Sequence, residues 1–261
     1  MVRRVKNTTK QPSTEGNNSS SGAHTGDARK DRWRNHRLAR RAEFVEAAIR
    51  VLDEHGMELG MDDVAAEAGI TKPVLYRHFA DKADLHTALA QRGTEILLEE
   101  LIPAINAELA PLPRIRQALN AFFSVIEEHP NLYRLLARLP AQDTSTASDV
   151  VTEDKELIAT TLTALLGDYM RMFRLDSGAA EPWAYGVVGM VQNTGDWWLD
   201  KQTMGRDSVV EYLTQIIWAA IDGLTRAQGI VIDPNIPLEE NKVIRMSAEP
   251  DIEPTKEQHD G

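Results

Sequence analysis

Apolar residues recur along the chain at helical spacing. Phe44, Ala48, Val51 and Leu52 share one side of a segment from about residue 40 to residue 55, with Glu43, Glu46 and Arg50 opposite and Gly56 at its end. A short helix is expected over about 61–68, closed by Gly69, since glycine readily takes the left-handed conformation that follows a helix. Thr71 then caps a third helix that runs to Phe79, with Pro73 in its first turn, where a missing N–H costs little. A fourth starts near Asp84 and aligns Leu85, Leu89, Ile96, Leu97 and Leu101. Past the prolines at 103, 111 and 113, the period predicts helices over about 114–129, 131–139, 153–173, 182–201 and 208–228. No alternating strand pattern and no repeat interrupts this series. The fold class is therefore all-α, with about nine helices: a small N-terminal unit over 38–83 and a larger body over 84–229.

The ends read differently. Residues 1–37 are rich in Ser, Thr, Asn, Gly and charge and bury too little apolar surface to offset chain entropy, so a disordered basic arm is expected. Residues 230–261 read as an acidic, disordered tail.

Composition narrows the chemistry. The 42% hydrophobic content of the 261 residues supplies a sizeable core. With no cysteine, disulfides, thiolate zinc sites and cysteine nucleophiles are excluded. No apolar secretory segment follows the basic start and no run is long enough to span a bilayer, so a cytoplasmic protein without membrane association is expected. His55, His78, His86 and His129 are scattered without acidic partners at metal-ligand spacing. Glycine-rich phosphate loops and a Gly-x-Ser-x-Gly turn are also missing from the sequence. No metal, no cofactor and no enzymatic activity are expected.

The net charge of -11 alone points away from nucleic acid. Segment by segment the picture reverses: residues 1–41 carry a net +8, residues 42–83 a net -5, residues 84–229 a net -9 and residues 230–261 a net -5. Residues 29–41 alone hold seven Lys/Arg and one Asp. Such an arm ahead of a DNA-reading unit can add phosphate contacts or enter the minor groove; a solvated charge run is the plainer alternative.

Two short helices joined by a tight glycine turn form a helix-turn-helix signature over D-D-V-A-A-E-A-G-I-T-K-P-V-L-Y-R-H-F. Ala65 is small where the second helix crosses, Gly69 turns the chain, and Leu75 and Phe79 pack back with Val64 on the first helix. The opposite face is then free for a major groove, and it offers Thr71, Lys72, Pro73, Val74, Tyr76, Arg77 and His78, with Lys82 just beyond.

The stretch V-A-A-E-A-G-I-T-K-P-V-L-Y-R-H-F-A-D-K-A-D-L, Val64 to Leu85, resembles the tetracycline-repressor (TetR) family of transcriptional regulators. The match extends over about residues 40–90, with Gly60 standing where that family usually has a capping Thr or Ser. The resemblance implies that Thr71, Lys72, Tyr76, His78 and Lys82 meet phosphates and that Pro73, Val74 and Arg77 approach base edges. It further implies a homodimer on a palindromic double-stranded operator, acting as a repressor released by a small effector bound in the body.

Within the body the residues must speak for themselves. Phe122, Phe123, Met170, Met172, Phe173, Trp183, Met190, Asn193 and Trp197 are the expected pocket, suited to an apolar effector. Acyl chains, acyl-coenzyme A thioesters and drug-like molecules fit that lining equally. The last two helices are apolar nearly all round, and Trp198, Val210, Leu213, Ile217 and Ile221 are the expected dimer face. A helical small-molecule sensor or carrier whose helix-turn-helix reads no specific sequence is the competing reading.

Overall fold

The computed structural model describes residues 23–56, 58–137, 146–238 and 244–245. It is all-α apart from one two-residue ladder. Among the described residues nine α-helices follow one another: α1 (Ala23–His55), α2 (Met61–Glu67), α3 (Lys72–Leu75), α4 (Lys82–Ile105), α5 (Pro111–Glu128), α6 (Pro130–Ala137), α7 (Thr146–Met172), α8 (Ala180–Lys201) and α9 (Arg206–Ala227). A 3-10 turn, Ser177–Ala179, leads into α8. Strands β1 (Ile230–Val231) and β2 (Ile244–Arg245) pair antiparallel.

Contacts divide the chain into two compact units, residues 1–43 and 44–261. In the first, α1 begins at Ala23, so residues 23–37 are helical where a disordered arm was expected. Arginine, lysine, alanine and leucine are good helix formers, and they sustain a helix whose residues 33–39 are exposed throughout. Composition argued only against burial, and residues 33–39 are indeed unburied. Residues 1–22 of the expected arm lie outside the described residues.

The second unit contains two main cores. One gathers Phe44, Val45, Ala48, Leu52, Val64, Leu75, Phe79, Leu85 and Leu89. The other joins Leu101, Ile105, Leu119, Phe122, Phe123, Ile126, Trp198, Val209, Val210, Leu213 and Ile217. Helix α4 belongs to both. It runs through Pro103, where a backbone N–H is lost, because Leu101, Ala104 and Ile105 on its last turns are all buried. Its end lies four residues past Leu101. In the body α4 packs against α5 and α7, α7 against α8, and α5 against α9, while α8 and α9 barely touch.

The tail also departs from expectation. Ile230 and Ile232 are buried in a third, smaller core with Phe173 and partly buried Trp218 and Leu238. The Leu112 N–H donates to the Pro234 carbonyl, tying the segment to the start of α5. Three spaced apolar side chains suffice to fix it, although its average composition is polar. Residues 239–243 and 246–261 lie outside the described residues.

Phe123 is fully buried, with its ring edge-on to Phe122 at 5.2 Å and to Trp198 at 5.5 Å. Replacing it with alanine is expected to cost about 3–5 kcal/mol in guanidinium unfolding of the full chain. A loss below about 1 kcal/mol would contradict this packing.

Candidate nucleic-acid interface and body cavity

The turn after α2 ends in a Schellman arrangement. The Gly69 N–H donates to the Ala66 carbonyl and the Ile70 N–H to the Ala65 carbonyl, with Gly69 at φ +65°. Only this reversal lets α3 cross α2 at Ala65, which is buried together with Val64, Leu75 and Phe79. Helix α3 is shorter than expected. Regular helix ends at Leu75, and Arg77 and His78 donate to carbonyls three residues back, tightening the chain as it delivers Phe79 to the core. At Gly60, N-cap of α2, no side-chain cap bond forms, as a glycine dictates.

With that face buried, Thr71, Lys72, Pro73, Tyr76 and Arg77 are exposed, as is Lys82 in the first turn of α4. Val74 is half-buried. So is His78, whose ring stands edge-on to Phe44 at 5.0 Å, so part of its imidazole serves packing. The Lys72 ammonium donates to Asp62 Oδ2 at 2.8 Å, and that bond raises its pKa above the ordinary lysine value. Asp62 was not legible as a partner, because it lies ten residues away on the neighbouring helix.

The turn of α4 that carries Lys82 starts with a reciprocal cap. The Asp84 N–H donates to Asp81 Oδ1 at 2.8 Å, and the Ala80 N–H donates to Asp84 Oδ2 at 2.9 Å. The first turn of α4 exposes Lys82, and together with Thr71, Lys72, Pro73, Tyr76 and Arg77 it offers hydroxyls, cations and short apolar groups. Such groups can donate to phosphates and touch base edges.

In the body a cavity of about 430 Å³ runs between α4, α5, α7, α8 and α9. Of the residues expected there, Phe122, Met170, Phe173 and Trp183 line it. Phe123, Met190, Asn193 and Trp197 do not. Phe123 is core and Met190 packs against the body core. Asn193 Nδ2 donates to the Gly189 carbonyl on an exposed face, and Trp197 is itself exposed. Met172 is half-exposed and also lies off the lining. Most of the wall is instead aliphatic, including Leu97, Leu101, Leu162, Leu165, Val187 and Ile221. Arg114, Tyr169, Asp176, Gln192, Thr225 and Gln228 supply its polar groups.

The expected dimer face requires correction. Trp198, Val210, Leu213 and Ile217 are buried in this chain's own core, and Ile221 is half-buried and lines the cavity. The large apolar side chains left exposed on α8 and α9 are Trp183, Tyr185, Trp197, Tyr212, Ile216 and Leu224. A helix apolar on every side carries two stripes of equal period, and periodicity alone does not say which one turns inward.

Helix α6 joins the two regions. Asn131 Nδ2 donates to the Leu52 carbonyl at 2.8 Å, and Leu132 enters the reading-head core. The adjacent Tyr133 donates to Asp196 Oδ1 at 2.8 Å, and its ring meets that of Phe122 at 6.1 Å. Arg134 Nη2 donates to the Leu199 carbonyl. Burial, reinforced by the Asp196 bond, pushes the Tyr133 phenol well above the ordinary tyrosine range, so it remains a donor.

Comparison with known proteins adds an independent line. The family model for bacterial regulatory proteins of the tetR family matches residues 44–89, and that for tetracyclin-repressor-like C-terminal domains matches residues 100–229. An uncharacterized HTH-type transcriptional regulator of Mycobacterium tuberculosis is 35% identical over 204 residues, covering 78% of this chain and 86% of its own. The HTH-type transcriptional activator FasR of Mycolicibacterium smegmatis is 31% identical over 184 residues, covering 70% and 83%. Among solved structures, a TetR-like transcriptional regulator from Rhodococcus sp. RHA1 matches with a TM-score of 0.56 at 25% identity, over 70% of this chain and 96% of that one. AibR, solved in complex with isovaleryl coenzyme A and operator DNA, matches in fold with a TM-score of 0.54 at 17% identity, over 68% and 97%.

His86 on α4 is half-buried, and its Nε2 is buried without a hydrogen-bond partner among the described residues. Desolvation, with the nearby Lys82 charge, holds its pKa below the ordinary 6.5. The unfolded chain then takes up the proton more readily than the folded one, so stability is full above pH 6.5 and falls on acidification through the lowered folded value. His86→Leu is expected to flatten this acid limb in urea unfolding from pH 7.5 to 5. An unchanged pH slope would contradict it.

Proposed function

The chain belongs to the TetR family of transcriptional regulators, and we propose that it acts as a homodimeric repressor released from its operator by a small apolar effector. The observation that carries this reading is the sharing of α4. Leu85 and Leu89 belong to the core of the reading head, while Leu97, Leu101 and Ile105 on the same helix line the body cavity. A ligand that pushes on those three side chains shifts a rigid rod anchored at its other end in the DNA-reading unit. Helix α6 offers a parallel linkage, from Phe122 in the lining through Tyr133 to Asn131 and the Leu52 carbonyl.

Dimerisation uses the exposed stripe of α8 and α9, centred on Trp197, Tyr212, Ile216 and Leu224. A two-fold axis there pairs two reading heads, each inserting α3 in a major groove one helical turn (about 34 Å) from the other. Thr71, Lys72, Tyr76, His78 and Lys82 hold phosphates, and Pro73, Val74 and Arg77 meet base edges. Lys72 must exchange Asp62 for a phosphate as it docks. The exposed cations of α1 add affinity that is independent of sequence. An effector that changes the spacing of the heads leaves the half-sites mismatched, and affinity falls.

That AibR was crystallised with isovaleryl coenzyme A and operator DNA fits an acyl-type effector for this chain as well. The wall composition gives the stronger support, being aliphatic over most of its extent.

The test uses the DNA upstream of this protein's own gene as probe. Tyr76→Ala and Lys82→Ala are each expected to weaken binding about tenfold with unchanged helicity and unfolding midpoint. Ile216→Glu is expected to shift the sedimenting species from dimer to monomer and to abolish tight binding. Deleting the gene should raise transcription from that promoter. Wild-type affinity in all three variants, or transcription that falls on deletion, would overturn the reading.

A further inference from the structure

The polar groups of the cavity gather at one end of the body. Arg114 lies in the first turn of α5, Tyr169 and Asp176 at and just beyond the last turns of α7, and Thr225 and Gln228 at the close of α9, with Gln192 the exception. Between Arg114 and Gln192 the wall is aliphatic and aromatic. Arg114 is the only cation among the described lining residues.

Its surroundings are unusual for a guanidinium. Nη1 donates to the Tyr169 hydroxyl at 2.7 Å, and the guanidinium carbon stands 5.6 Å from the centroid of the Tyr169 ring. Among the described residues Nε is buried and donates to no protein group, and no carboxylate lies within ion-pairing distance. Asp176, the one acid of the lining, is exposed, and its Oδ1 accepts from the Gly178 N–H instead. A half-buried cation facing an apolar space without a counter-charge costs free energy that an anionic partner recovers. The edge that carries the Nε and Nη2 hydrogens is the one that grips a carboxylate or phosphate with two parallel bonds. Tyr169 holds the opposite side of the guanidinium and so sets the direction of that edge.

We propose that the effector is an anionic amphiphile, an aliphatic chain ending in a carboxylate, with its chain along the Leu97–Leu162–Val187 wall and its head paired to the Nε–Nη2 edge of Arg114. This rests on the reading of the cavity as the effector site and adds the chemistry of the head group. Arg114 and Tyr169 become specificity residues: they distinguish a fatty acid from the equally apolar ester or alcohol.

The test compares palmitic acid, methyl palmitate and palmitoyl-coenzyme A on the full chain, by displacement of a fluorescent apolar probe. In the wild type the acid is expected to bind about tenfold to a hundredfold more tightly than its methyl ester. In Arg114→Gln the two should bind equally, with ester affinity and unfolding midpoint unchanged. Tyr169→Phe should reduce the preference without removing it. If palmitoyl-coenzyme A alone shows the Arg114-dependent preference over the ester, the anion gripped is a phosphate and the carboxylate assignment falls. Equal binding of acid and ester in the wild type, or a preference that survives Arg114→Gln, overturns the proposal while leaving the apolar site intact. Failure of all three compounds to bind overturns the effector site itself.

Discussion

Leu85 and Leu89 lie in one hydrophobic core and Leu101 and Ile105 in another, yet all four belong to one helix. That constraint organises the molecule. Each of these side chains is worth roughly 1.5–3 kcal/mol of burial, so α4 cannot leave one core to improve its fit in the other. Packed interiors move between discrete arrangements rather than stretching. In the proposed mechanism a change in the body cavity reaches the reading head as a displacement of the whole rod. Gly93, midway along α4, keeps that rod close to α6: a side chain there would press on Leu132 and Leu136.

Helix α6 turns one linkage into two. Its consecutive residues face different regions: Leu132 the reading-head core, Tyr133 the body, with Asn131 and Arg134 bonded to backbone carbonyls on either side. Backbone carbonyls near helix ends have fixed directions, so these bonds hold α6 in orientation as well as position. Asp196 accepts from a phenol that burial keeps protonated.

The reading head was legible because each of its positions has a single steric task. A small residue at 65, a glycine free to reach positive φ at 69 and apolar anchors at 75 and 79 admit few other arrangements, and the exposed set follows by elimination. The body was less legible because its helices are apolar on more than one face. Burial of Trp198, Val210 and Leu213 inside the chain, and exposure of Tyr212 and Ile216, is decided by neighbours distant in sequence. The same limit hid Arg114, whose significance comes from Tyr169, fifty-five residues away, and from a cavity no local pattern announces. At the ends composition misled in opposite directions. Residues 33–39 form helix without burial, and Ile230 and Ile232 find a core within a polar segment.

Charge completes the division of labour. The body carries a net -9 and the first 41 residues a net +8, so a polyanion meets repulsion from the charge of the one and attraction from that of the other. The overall -11 describes neither part. The most direct measurement is the affinity of the full chain for the DNA upstream of its gene, with the cavity empty and then saturated with an aliphatic ligand whose occupancy is followed by calorimetry. A cavity coupled to the reading head through α4 predicts a fall of roughly five- to a hundredfold on saturation. Equal affinities at full occupancy would contradict it.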